Sequence, residues 1–276
     1  MLLYWVFPFT IIATSYFCVL FSHQWSILPY IWVLVIVPIL DLIVPQLNKS
    51  DIKLTNTTGH NLALITVVPL MFLLIILALF KIKNDNISSF AALFIGLGTG
   101  MAGGAVGITA AHELIHRNSK KMKGLGISLL ALCFYSHFRI EHIYGHHIHV
   151  ATEDDPATAR KGENFYKFLI RCVITGIISA WNIEKNILIK KQLSIFSINN
   201  RMIHYAIFHI LLLSICFFVA GIKGIIFILA HSSISIILLE VVEYIQHYGL
   251  ERKIVNENKL EKYNHSHSWN SRHSIA

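Results

Sequence analysis

Charge is what this chain is short of. Only 14% of its 276 residues are Asp, Glu, Lys or Arg, while 55% are hydrophobic. Soluble domains run nearer a quarter charged, so a surface wetted on every side is excluded. Paired cysteines are missing as well. Cys18, Cys133, Cys172 and Cys216 stand far apart with no C-x-x-C spacing. That excludes a disulfide framework and a cysteine-held iron–sulfur site, and leaves four buried thiols. No basic region precedes the first apolar run, which is too long for a signal h-region and is followed at once by a second run. It therefore reads as a retained span. Repeats and low-complexity stretches are absent. The net charge of +8 makes no nucleic-acid face, because Lys and Arg gather in loops without interleaved base-stacking aromatics.

What remains is a polytopic membrane protein, an all-α helical bundle in one domain over 1–276. Six apolar segments approach the length needed for a bilayer core of about 30 Å. They cover 2–21, 27–45, 62–82, 88–111, 203–221 and 224–246. The first two form a hairpin across Ser22–Ser26, with Trp25 and Tyr30 as interface aromatics. Lys49 and Lys53, the basic residues from Arg117 to Arg201, and Arg252, Lys253, Lys259 and Lys262 all fall on one side of an even-span bundle. That side is cytoplasmic, with the N-terminus inside; Lys81 and Lys83, and Lys223 in the very short turn Gly221–Gly224, lie opposite and snorkel. Span four carries Gly96, Gly98, Gly100, Gly103, Gly104 and Gly107, which predicts close helix approach and a packing centre. The segment 125–138 reads as a half-buried or re-entrant helix. The stretch 165–200 reads as amphipathic and interfacial.

The chemistry concentrates in histidines. His142, His146, His147 and His149 fall within eight residues, with Glu141 before them and Asp154-Asp155 behind. An i, i+4 spacing puts His142 and His146 on one helix face, with His147 beside them. H-x-x-x-H-H inside a membrane protein points to metal ligation. Span four ends in His112-Glu113-Leu114-Ile115-His116-Arg117, again with i, i+4 imidazoles. Taken alone, H-E-x-x-H is also the zinc-protease pattern with Glu113 as base; the surplus of histidines elsewhere weighs against that. Span six carries Glu240, Glu243 and His247, and ionisable groups in a span are functional by default. Glu243 can hold the ring of His247, and Glu240 that of a neighbouring histidine. Six imidazoles (His112, His116, His142, His146, His147 and His247) reach the cytoplasmic ends of helices. Their ligand type suits iron, zinc, copper or nickel alike. Their number favours two ions, and a redox pair near the membrane surface favours iron. His204, His209 and His231 read as interhelical hydrogen-bonders, and Asp41 as channel-lining or end-of-span. His137 and His149 stay outside the ligand set.

These residues resemble the AlkB-type membrane-bound non-haem di-iron alkane monooxygenases of the fatty-acid desaturase and hydroxylase superfamily. The first box is similar to His112–Arg117 and the second to Glu141–His147 with its tail Val150-Ala151-Thr152 and Asp154-Asp155-Pro156. The family's distinguishing motif resembles Tyr244-Ile245-Gln246-His247-Tyr248-Gly249-Leu250, and His267-Ser268-Trp269-Asn270-Ser271 also matches. Gln246 stands where the family has Glu, and Glu243 where it has Asn. A third box of three histidines is expected beyond His267–Ser271. His265, His267 and His273 do not have its spacing, so the chain reads as C-terminally truncated. The resemblance implies two irons held by the six histidines, reduced by rubredoxin and its reductase. It implies O2-dependent hydroxylation of a terminal methyl group of an alkane at a bacterial inner membrane. Two other readings stay open: a fatty-acyl desaturase or hydroxylase, and a catalytically incomplete membrane fragment.

Overall fold

A computed structural model describes residues 3–21, 23–43, 57–256 and 259–269. Lys49, Lys53 and Pro45, and Asn270, Ser271 and His273, lie outside the described residues. The chain divides into two compact units, one drawn from Met1–Phe134 and His209–Leu238 and the other from Tyr135–Phe208 and Leu239–Asn270.

The first unit holds α1 (Leu3–Phe21), α2 (His23–Ile43), α3 (Thr57–Asn84), α4 (Ser89–His116) and α5 (Lys120–Leu132). It also takes the middle of α8 (Arg201–His247). The Ser88 hydroxyl caps α4 by accepting from the Ala91 N–H, satisfying a donor that the first helical turn leaves open. At the other end Arg117 turns extended and stops the helix one residue past His116. The glycines of α4 do what their spacing predicts. A Cβ at Gly100 would meet Ile234 at 2.8 Å, and one at Gly104 would meet Leu238 at 2.8 Å. Glycine here removes the atoms that would hold the two backbones apart. With no water in the hydrocarbon, side-chain polar groups bond helix to helix. The Ser15 hydroxyl donates to the Gly98 carbonyl, and Tyr16 OH to Leu70 O at 2.7 Å. Tyr30, expected as an interface aromatic, instead donates its OH to Leu97 O at 3.0 Å. Trp25 remains exposed, edge-on to Phe17.

At 47 residues α8 would be about 70 Å long if straight. It is two helices joined at Gly221, whose φ of +61° and ψ of −149° are non-helical. Gly224 lies against the Cys216 carbonyl, a contact that eight residues of straight helix could not make, so the chain doubles back as the Gly221–Gly224 turn predicts. His231 is the interhelical bonder foreseen, with Nδ1 3.1 Å from the Thr99 hydroxyl.

The second unit contains α6, α7 and the ends of α8. Helix α6 runs as Phe138–Glu141, a π turn over His142–His146, and His147–His149. The expected interfacial stretch is α7 (Phe165–Lys190), a 26-residue helix capped by the Asn164 side chain. Its buried residues Phe168, Cys172, Gly176, Ala180, Glu184 and Leu188 recur every fourth position, a single stripe facing the unit's interior. Outward it shows Ile170, Ile174, Ile177 and Ile178. Glu184 accepts from the N–H and guanidinium of Arg201, tying α7 to the start of α8. Among the described residues the only sheet is a hairpin of β1 (Ile254–Asn256) and β2 (Lys259–Leu260).

Among the described residues five helices are long and apolar enough to cross a membrane, namely α2, α3 from Thr58, α4, α7 and α8, with Val6–Phe21 a shorter apolar helix. By length and composition α7 thus joins the candidate spans, at a mean hydropathy of 1.2 against 3.0 for α3. If α7 crosses, the basic residues before and after it fall on opposite sides, and the even-span count no longer sets orientation.

Candidate metal centre

The second unit gathers four of the six predicted histidines. The rings of His142 and His146 stack 5.1 Å apart, as an i, i+4 pair should. The π turn does something that spacing does not foresee. In an α-helix i and i+5 diverge, but a turn that closes i→i+5 returns His147 to the side of His142. Their Nε2 atoms lie 3.0 Å apart. His247, from the end of α8, sets its ring centroid 5.0 Å from that of His146. Gly145 leaves room beside the turn for the Glu141 carboxyl, since a Cβ there would sit 2.6 Å from Glu141 Oε1.

Two of these rings are held by their far nitrogen. His146 Nδ1 is 2.9 Å from Asp155 Oδ2. Asp155 is itself fixed by the Thr158 hydroxyl at 2.6 Å and the Ala157 N–H at 3.1 Å. Ala151 takes a φ of +59° at the bend between box and loop, and its N–H donates to Thr158 Oγ1. His247 Nδ1 donates to the His267 carbonyl at 3.1 Å. Both rings are thereby left to use Nε2 at the centre, the arrangement that orients imidazole for an ion. Burial opposes a charge on His146, yet the Asp155 hydrogen bond and the nearby carboxylates push it up to about 9. An incoming ion therefore displaces a proton from this ring. Burial, with the field of Asp155, pushes the Glu141 carboxyl up to about 8.

The remaining predictions divide. Glu243 does not hold the His247 ring. Its Oε2 lies 3.8 Å from His247 Nε2, too far for a hydrogen bond, and the His267 carbonyl takes that role because the chain beyond α8 folds back over it. Glu240 serves no histidine but accepts from Tyr135 OH at 2.7 Å. His267 has both ring nitrogens engaged, by the Asn264 N–H and by Glu261, so it is a brace and no ligand. His137 is buried with its ring 4.4 Å from that of Tyr135. The sequence reading missed Asp155 as the holder of His146 and the carbonyl of His267. Neither sits at a helical spacing from the ring it fixes, so no periodicity marks them.

The distinguishing motif also acquires physical reasons. Tyr248 OH accepts from the Gly162 N–H at 3.0 Å, and Tyr244 OH donates to Glu163 O at 2.7 Å. Gly249, at a φ of +67° that favours glycine, donates its N–H to Ala159 O. Arg252 donates to the carbonyls of Ile148 and Glu261, and the Trp269 indole to Tyr248 O. These bonds fasten the segment after α8 to the histidine box.

In the first unit, His112 and His116 pair at the end of α4, with ring centroids 4.7 Å apart. Glu113 points away from a protease base's role. It lies 3.5 Å from Arg117 and 3.8 Å from His60, with its side chain half exposed.

His146, Glu243 and His247 offer ligand atoms all within 4.8 Å of one another, each from a buried residue. Two imidazoles and a carboxylate fit a divalent first-row metal.

Comparison with known proteins agrees with this chemistry. The fatty acid desaturase family pattern matches residues 88–276. Alkane 1-monooxygenase 2 of Pseudomonas aeruginosa is 32% identical over 97% of this chain and 74% of its own length. Alkane 1-monooxygenase 1 of the same organism is 39% identical over 63% of this chain, and the match covers 46% of that protein. The xylene/toluene monooxygenase hydroxylase component of Pseudomonas putida is 26% identical over 76% of this chain. The chain thus spans about half to three quarters of the length of these curated relatives. With its paired histidine boxes, its H-Y-G motif and these matches, the chain belongs to the fatty acid desaturase family and, within it, to the AlkB-type alkane monooxygenases.

Proposed function

We propose that this chain carries the histidine-ligated di-iron centre of an integral membrane alkane 1-monooxygenase. The ligands would be His112, His116, His142, His146, His147 and His247. The observation that carries the reading is the second unit's cluster of four imidazoles, two of them aimed by hydrogen bonds at their opposite nitrogens. The i, i+4 pairing of His112 and His116 supports their inclusion. Bound iron would supply activation of O2 for insertion into an unactivated C–H bond. The protein's own part is positional. Asp155 and the His267 carbonyl hold the tautomers of His146 and His247, and the π turn sets His142 and His147 side by side. The surrounding apolar helices exclude water and admit a hydrocarbon, whose terminal methyl would be converted to a primary alcohol.

Rubredoxin and its reductase are the proposed electron donors, and the basic loops suit an acidic carrier. With α7 lying along the membrane surface, we place the metal site and N-terminus on the cytoplasmic side of a bacterial inner membrane, from the distribution of Lys and Arg. The match to the fatty acid desaturase family supports a second reading, a fatty-acyl desaturase or hydroxylase on the same centre. The deciding assay is octane turnover by the purified, lipid-reconstituted chain with iron, rubredoxin, its reductase and NADH. Octanol as the product supports the first reading. Oxidised acyl chains with no octanol support the second. No product, with well under two irons per chain, would mean that these 276 residues are an incomplete piece of the catalytic unit.

A further inference from the structure

We infer that Glu243 is itself a metal ligand, closing a two-histidine, one-carboxylate site with His146 and His247 that takes ferrous iron or a similar divalent ion. The inference rests on the di-iron reading of the same cluster and adds an oxygen donor to what is otherwise a set of nitrogens. Glu243 is 7% exposed, and its Oε2 has no hydrogen-bond partner. A buried carboxylate oxygen without a partner is costly unless a cation or proton comes to it. Its neighbours decide which. His247 sits one turn on, with Nε2 3.8 Å from Glu243 Oε2 and with Nδ1 committed to His267 O. His146 has its Nδ1 committed to Asp155. Each of the three residues offers a ligand atom within 4.8 Å of the other two.

Ligands about 2.1 Å from a tetrahedral ion stand about 3.4 Å apart, so small side-chain movements close the set. A plain Glu–His pair would instead show a hydrogen bond, and here none forms at 3.8 Å. Glu240, one turn away, also has an unpartnered Oε2, but Tyr135 OH holds its Oε1, and the cluster within 4.8 Å is made by Glu243 with His146 and His247. One carboxylate with two neutral imidazoles leaves a divalent ion with residual positive charge. An ion held by nitrogens alone keeps more. The two iron positions of the proposed centre are therefore electronically unlike.

The test is anaerobic titration of the full chain in lipid nanodiscs with ferrous iron, followed by Mössbauer spectra, for wild type, Glu243→Gln and Glu243→Asp. Size-exclusion profiles report folding of each variant. Expected are two inequivalent ferrous signals in wild type, with one signal lost or shifted in Glu243→Gln and iron affinity at that position at least about tenfold weaker. Glu243→Asp, which keeps the carboxylate, should lie between them, and it carries the test if Glu243→Gln fails to fold. Equal affinity and unchanged spectra in both variants overturn this inference and leave the di-iron reading standing. Failure of the wild-type chain to bind iron overturns both.

Discussion

An imidazole binds an ion more tightly when the proton on its other nitrogen has a fixed partner, and for His146 that partner is Asp155. Asp155→Ala should therefore weaken iron binding about 10–100-fold while leaving every ligand in place, as iron content after gel filtration will report. The histidines could be read from spacing alone, since i, i+4 geometry is local. Asp155 could not, because its reach to His146 depends on how the loop over 150–164 folds back. That loop has a second anchor in Arg171, which bonds the Glu163 carboxylate at 2.7 and 2.8 Å and the carbonyls of Pro156 and Thr158. The hydrogen bonds from Arg171 hold the Glu163 carboxyl below its usual range. A lowered carboxylate contributes its full stability above the unfolded value of about 4.3 and loses it as pH falls through the folded value. Proteolysis of this loop should accordingly accelerate in acid below that range. Arg171→Met should be cleaved readily even at neutral pH.

Helices carry the next level of specification. The glycine face of α4 was legible because small residues at helical spacing have one main use inside a membrane, the close approach of another helix. Gly104→Val would push side-chain atoms into Leu238, and overpacking of this kind costs about 1–3 kcal/mol. A fall in the thermal midpoint of the detergent-solubilised variant will check it. The three π segments among the described residues, over Trp32–Ile36, Gly103–Ile108 and His142–His146, could not be read from the sequence. One inserted residue in the i→i+4 ladder leaves composition and hydropathy unchanged, yet it decides which histidines meet. The role of α7 was only half legible. Its buried stripe shows in the fourfold spacing, but Lys167, Arg171, Glu184 and Lys185 lower its hydropathy enough to suggest a surface helix. Cysteines placed at Tyr166 and Ile189, both exposed near its two ends, will decide the matter. Labelling of both by an impermeant reagent from one side of the membrane means that α7 lies along the surface. Labelling from opposite sides means that it crosses.

At the scale of the whole chain, a bound ion stabilises the folded form by an amount that grows with the logarithm of its free concentration over Kd, about 2.7 kcal/mol at a hundred times Kd. Loading with iron should raise the unfolding midpoint and protect the loop over 150–164. Chelation should reverse both, and Glu243→Gln should respond less than wild type. The sequence alone determined that the protein is an all-α membrane bundle with histidine-rich boxes. It also marked the Gly221–Gly224 turn and the glycine face of α4. Hydropathy, helical period and small-residue spacing are properties of neighbours along the chain, and they survive without knowledge of the fold. The tertiary structure alone decided that Asp155 and a backbone carbonyl hold the rings. It also freed Glu243 from His247 to face the centre, and gave Glu240 to Tyr135. Those choices depend on which groups lie within about 3 Å once loops close and helices lean together, and no pattern in the chain records distances of that kind.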